Sequence, residues 1–360
     1  MSYRRKLTWI CLIVMAIGIK VFSFFPGAVE TAYSRGIYPV ISRTQRVLFG
    51  GIPFSVGDIL YATAVIYLLY RLIRGGRRVV RGEAGKGWMV RGIRQLLFAV
   101  LWLYVLFNLL WGLNYDRLGI ADQLGLHTLP YHTEDIDRLT GLIVDRLNVL
   151  DSIARPGRED FERTAALRDR AVAAYDSLEV GAPEFDYRGV SVKASLYSFP
   201  GLYIGFAGYY NPFTGEAQIN VGDPPFTLPY TTCHEMGHQL GYAKESEANF
   251  VGFLAAKTSS DPAVRYSAYL ELYQYCFREL YYRDSALAVA YRGKIAPGVR
   301  QDLKDLQRFN RKYSNSMALM VWSGYSGYLR ANRQPHGLRS YSDVTAWLLA
   351  YMNKFGPPAL

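Results

Sequence analysis

His234-Glu235-Met236-Gly237-His238 is the stretch on which the reading of this chain turns. Residues four apart on a helix share one face. Two imidazoles therefore reach one point, and Glu235 projects beside them. That HExxH spacing suits a zinc hydrolase, in which the histidines bind Zn2+ and the glutamate takes a proton from water. The plain alternative is a polar helix with two solvated histidines. The residues that follow favour the metal.

A catalytic zinc usually has three protein ligands, with water in the fourth position. His127, His132 and His336 lie far away in sequence. The nearer text is Gly241-Tyr242-Ala243-Lys244-Glu245-Ser246-Glu247-Ala248-Asn249-Phe250. Gly241 comes three residues after His238, where a helix would end with a residue at positive φ. The metzincin peptidases place a third ligand six residues past the second histidine. Here that position is Lys244, which cannot ligate while charged, and Glu245 is one step further on.

Residues 245–249 also resemble the ExxAD segment of membrane-bound gluzincin peptidases of the CAAX-prenyl-protease and heat-shock-protease type. That resemblance implies Glu245 as a zinc ligand. It also implies that Asn249 steadies a ligand histidine from behind. On a helix Glu245, Ala248, Asn249 and Gly252 share a face. Glu247 is the rival third ligand. It shares a face with Phe250, Val251 and Leu254, and an inward carboxylate needs a partner. Two surface acids at a helix N-terminus are the plain reading.

The charge balance places this segment. Residues 1–113 carry 15 Lys/Arg and 3 Asp/Glu, whereas residues 114–360 carry 26 and 27. The basic excess sits in the apolar third, so no basic surface remains for nucleic acid. Three runs there, about 7–25, 54–73 and 96–113, are each long enough to cross a bilayer as a helix. A cleaved secretory signal is the alternative for the first, and a buried core for all three. Eight Lys/Arg from Arg71 to Arg94, at the end of run two and in the loop before run three, face a single acid, Glu83. That loop and the N-terminus should be cytoplasmic. The 26–53 loop and everything after about Asn114 should then be extracytoplasmic. The expected setting is a bacterial plasma (inner) membrane protein with several passes, in contact with the lipid bilayer. The expected division is a transmembrane region, 1–113, and a zinc-hydrolase-like domain, 114–360.

Within the second region, Ile136, Leu139, Leu142, Ile143, Leu147 and Leu150 predict an amphipathic helix starting at Thr133. A charged helix follows over 159–178. Strands are expected at 190–197, 202–210 and 216–221. The metal helix runs over 229–240. Further helices are expected at 246–257, 262–283, 298–313, 315–332 and 342–355. The fold class is α+β: three transmembrane helices, then a zincin-like, mainly helical domain with a small β-sheet. Cys233 and Cys276 are expected to be free thiols.

Trp-Gly-Leu-Asn-Tyr at 111–115, Pro-Phe-Thr-Gly-Glu at 212–216, the histidine motif and Glu-Ser-Glu-Ala-Asn-Phe at 245–250 extend the comparison to nearly the whole chain. They resemble a bacterial membrane-anchored family of unknown function with an HExxH, gluzincin-like motif. The resemblance implies the topology and the metal site, and no substrate. The expected activity is a zinc metallopeptidase acting on a peptide or protein, with Glu235 as general base. A zinc amidase acting on cell-wall peptide, or a non-catalytic zinc-binding membrane sensor, is the alternative. Tyr325, Tyr328, His336 and Tyr341 are candidate oxyanion donors. The 216–221 strand could align an extended peptide by edge pairing.

Overall fold

The apolar runs at the N-terminus become long helices. The computed structural model describes residues 3–155, 164–332 and 341–360. Helix α1 covers Tyr3–Phe22. The 26–53 segment is not the loop expected. It is helical: α2, Pro26–Ala28, passes through a π-helical stretch, Val29–Ile37, into α3, Tyr38–Gly50. This arm is bent by 104° from α1. Its helical form has a reason in the side chains. Tyr38, Ser42 and Arg46 recur every four residues, and all three donate to the Gln239 carbonyl. A loop would not align them.

Helices α4, Val56–Val80, and α5, Lys86–Leu110, are long and apolar enough to cross a membrane. Tyr3–Phe22 with Pro26–Gly50 passes that test only as a bent pair, so there are two to three such elements among the described residues. Ser55 caps α4, its hydroxyl accepting from the Asp58 N–H at 3.0 Å.

A short α6, Ile120–Gln123, leads to α7, Thr133–Ala154, and α8, Thr164–Glu179. The apolar face read from the sequence is the one α7 buries, except that Leu142 is only partly covered. It starts at Thr133 as expected, and its cap is His132, paired with Asp135. Residues 156–163, where the charged helix was expected to begin, lie outside the described residues.

The sheet is small and mixed. Strand β1, Val192–Ala194, is followed by helix α9, Ser198–Ile204, then by β2, Gly208–Asn211, and β3, Glu216–Ile219. The expected strand over 202–210 is thus helix over its first three residues and strand over its last three. A short apolar run does not distinguish the two forms, and Phe199 packs on Tyr203 one helical turn away. The order is β1-β3-β2, with β3 parallel to β1 and antiparallel to β2. The strand expected to offer an edge is therefore central, its backbone groups spent on both neighbours. The open edges belong to β1 and β2.

The sheet is fastened to the start of α4. The Glu216 carboxylate accepts from the Val56 and Gly57 N–H groups at 3.0 and 2.6 Å. Asp58 accepts from the Leu196 N–H at 2.7 Å and from the Tyr209 hydroxyl. A carboxylate at a helix N-terminus satisfies donors that the helix itself cannot.

The remainder is helical: α10, Leu228–Gln239; α11, Glu245–Thr258; α12, Pro262–Arg283; α13, Ser285–Lys294; α14, Pro297–Tyr313; α15, Ser316–Ala331; and α16, Tyr341–Phe355. The sequence reading missed α13. Between α10 and α11 the chain turns at Gly241, with φ +89°. A Cβ there would also stand 2.8 Å from the Tyr38 ring. Helix α11 then lies tight against α10. A Cβ on Gly252 would approach the His234 backbone nitrogen to 2.9 Å, so only glycine permits this spacing. Cys233 and Cys276 are buried and not disulfide-bonded.

Candidate metal centre

Helix α10 presents His234 and His238 one turn apart, their rings edge to face with centroids 4.7 Å apart. The close seat of α11 brings Glu245 across from them. Glu245 Oε2 lies 3.3 Å from His234 Nε2, and Oε1 lies 3.8 Å from His238 Nε2. Ligands bonded at about 2.0–2.2 Å to a tetrahedral zinc stand roughly 3.3–3.5 Å from one another. The two imidazoles and this carboxylate are spaced for such an ion. His238 Nδ1 lies 2.7 Å from the Tyr242 carbonyl, to which it can only donate. That fixes the tautomer and leaves the Nε2 lone pair toward Glu245.

The electrostatics separate the roles. Burial lowers His238 to about 4, so its ring is neutral at pH 7. Burial opposes ionisation of Glu245, but the hydrogen bond from His234 and the two nearby rings prevail and hold its carboxyl low in the acid range. His234 shifts the other way: burial lowers it, yet Glu245 and Glu235 together raise it. Glu235 is buried with little to ionise against, and burial pushes it up to about 8. Its Oε2 has no hydrogen-bond partner among the described residues. One Glu235 oxygen and one nitrogen from each histidine still lie within 4.8 Å of one another. Both Glu245 oxygens also face these rings, one towards the Nε2 atom of each histidine.

Asn249 also sits beside His234 and favours its protonated form. The Tyr230 hydroxyl donates to the Asn249 carbonyl at 3.0 Å. Glu247 is directed elsewhere. Its Oε1 accepts from Lys244 Nζ at 3.0 Å, and it packs against Gly119. Tyr325 comes from α15 and donates to Glu245 Oε1 at 2.5 Å. Burial, then the Glu245 charge, raises Tyr325 far above the usual phenol range, so it keeps its proton. Tyr328 stacks on Tyr325 and exchanges a hydrogen bond with Tyr115 at 3.2 Å. His336 lies outside the described residues, and Tyr341 begins α16.

His234, Glu235, His238, Glu245, Asn249, Tyr325 and Tyr328 line a cavity of about 1170 Å³. Gly208 of the edge strand β2 lies against the Glu235 carboxylate. The opposite wall comes from α4 and α5, including Tyr61 and Phe107.

The sequence reading missed what holds the metal helix from below. The last carbonyls of a helix have no partner within it. In α10, Gln239 O accepts from Tyr38 at 3.0 Å, Ser42 at 2.5 Å and Arg46 at 3.1 Å. Trp111 Nε1 donates to His238 O at 3.2 Å. Arg117 donates to Gly241 O at 3.2 Å and forms a buried two-pronged pair with Glu30. The 38/42/46 spacing in an otherwise apolar third was the available signal.

The chain has no match among curated proteins or solved structures. Residues 33–349 match the family described as "Protein of unknown function (DUF3810)", a span that takes in most of the arm, both long apolar helices, the sheet and the histidine helix. The chain belongs to that family.

Proposed function

We propose that this protein is a membrane-anchored, zinc-dependent metallopeptidase with a zincin-like catalytic region. One observation carries the reading: His234, His238 and Glu245 converge from two helices, while the buried Glu235 carboxylate stands beside them at a cavity wall. A zinc ion held by these three residues would bring water towards a pKa of roughly 7 and polarise a carbonyl. The charge of such an ion would offset the burial that raises Glu235, so that this carboxylate accepts the proton from the attacking water and returns it to the nitrogen as the C–N bond breaks. The Tyr325 hydroxyl, kept protonated beside Glu245, is the donor we assign to the developing oxyanion, to which it would turn from Glu245. The open edge of β2 beside Glu235 supports an extended peptide backbone as the substrate's reacting part.

The proposed setting is the bacterial plasma membrane. The arginine-rich ends of α4 and α5, joined by residues 81–85, lie away from the site. By the positive-inside rule those ends are cytoplasmic and the site extracytoplasmic. A sensor that kept its metal only for structure has no use for a buried carboxylate at Glu235 whose Oε2 has no hydrogen-bond partner among the described residues.

The test is digestion of a peptide library by the full-length protein in detergent, with and without chelator, beside Glu235→Gln. Chelator and Glu235→Gln should each abolish cleavage, and the variant should keep its zinc. Cleavage that survives in a zinc-loaded Glu235→Gln protein overturns the reading.

A further inference from the structure

Residues 114–360 hold two long stretches without Asp, Glu, Lys or Arg, 194–215 and 313–329, and no other stretch there is as long. The structure brings part of each to the surface. Leu196 is exposed, and helix α9 then exposes Tyr203 and Phe199, the latter by 69%. Helix α15 has two faces. Ala318, Trp322, Tyr325 and Leu329 recur at i, i+4, i+7 and i+11 and line the cavity. The opposite face holds Met317, Leu319 and Met320, with Leu319 74% and Met320 76% exposed. The two helices adjoin. Asn315, which caps α15, donates to the Tyr203 carbonyl at 2.7 Å, and the Tyr203 and Tyr313 ring centroids are 5.2 Å apart. The result is an apolar collar built only from uncharged residues. An exposed apolar surface of this kind marks a contact with something else.

Resting on the membrane-anchored reading above, we propose that α9 and α15 seat in the headgroup region of the phospholipid leaflet nearest the site. The collar is continuous with the surface of α4. The Leu196 N–H donates to Asp58 Oδ2 at 2.7 Å and the Tyr197 hydroxyl to the Asp58 carbonyl at 2.6 Å, so α9 starts beside the first turn of α4. The next residues of that helix, Ile59 and Leu60, are themselves exposed, on an element apolar enough to cross a membrane. The far end of α15 is tied to the residues that follow α5, where Tyr328 and Tyr115 share a hydrogen bond at 3.2 Å. Both helices thus stand where α4 and α5 leave their apolar spans. Uncharged faces of Met, Leu and Phe suit that boundary, and each such side chain taken out of water is worth roughly tenfold or more in affinity. A second copy of the chain would have to cover a surface that the bilayer already adjoins. Because the inner face of α15 carries Tyr325, the leaflet backs the helix that holds Glu245.

The experiment uses the full-length protein in phosphatidylethanolamine–phosphatidylglycerol vesicles. Cys11→Ser removes the exposed native thiol and leaves the buried Cys233 and Cys276. A nitroxide is then attached to one new cysteine per protein: Phe199→Cys, Met320→Cys, Leu68→Cys on α4, or Val180→Cys, an 89% exposed position just past α8. Collisions with oxygen, which concentrates in lipid, are compared with collisions with a water-soluble nickel chelate present on both sides of the bilayer. Labels at 199 and 320 should read about 5–10 Å into the headgroup region, the label at 68 deeper, and the label at 180 in water. Labels at 199 and 320 that read as water, beside a label at 68 in lipid, overturn the proposal and leave the membrane anchor standing. A label at 68 in water overturns the anchor, and the proposal with it. Labels at 199 and 320 shielded from both reagents and broadened by a neighbouring nitroxide would assign the collar to a second copy, which also overturns the proposal. No arm depends on catalysis, so the peptidase reading stands or falls separately.

Discussion

The Tyr325 hydroxyl stands 2.5 Å from Glu245 Oε1, joining α15 to the first residue of α11 across 80 positions of sequence. Glu245 is thus held from both sides, by the imidazoles and by a phenol. Removing the phenol while keeping the ring should loosen the carboxylate without emptying the site. Tyr325→Phe should weaken zinc binding or slow turnover by roughly 10- to 100-fold, as loss of a ligand's hydrogen-bond partner does. Zinc titration calorimetry and initial rates check this. Unchanged affinity together with unchanged rate would show that the contact has no role.

Glu245 and Glu247 lie two residues apart and face different surroundings. Glu245→Ala should lose zinc on dialysis. Glu247→Gln, which keeps a polar group for Lys244, should retain close to one zinc per chain. Metal analysis of the purified full-length proteins reads the difference. The ligand assignment fails if Glu245→Ala keeps its metal, or if Glu247→Gln is the one to lose it.

The Glu30–Arg117 pair is buried, with nitrogen–oxygen distances of 2.7 and 2.8 Å. Breaking such a pair from one side leaves an uncompensated charge and costs about 3–5 kcal/mol. Glu30→Gln should destabilise the protein by that order, measured by chemical denaturation in detergent. Because Arg117 also donates to Gly241 O, zinc affinity should fall with it. A stability change under about 1 kcal/mol would contradict a structural role for the pair.

Asp223 has the opposite problem: burial raises its carboxyl to about 7. The folded state then binds the proton more tightly than the unfolded chain. Stability conferred by the protonated acid is full below about 4 and is lost as pH rises towards 7. Asp223→Asn should therefore stabilise the protein at pH 8 and not at pH 4. The gain should be at most about 4 kcal/mol, and less because the side chain is partly exposed. Thermal melts across that pH range test it. A gain of equal size at both pH values would exclude titration of Asp223 as the cause.

By itself the sequence determined that α10 would carry two imidazoles and a carboxylate, because a four-residue spacing on a helix needs no tertiary information. It also marked α4 and α5, since length and apolar content are local properties. It put Glu245 and Glu247 forward together and could not separate them. They differ by two positions on one helix, and only the seat of α11 on α10, set by Gly252, turns one toward the imidazoles. The helical arm over 26–50 was hidden as well. Its face is polar and aromatic rather than apolar, and its partners are carbonyls some 200 residues away. The sheet order was hidden for a related reason. Alternation identifies a strand but not its neighbours, so the tertiary structure alone made β3 central and left β2 as the open edge beside Glu235.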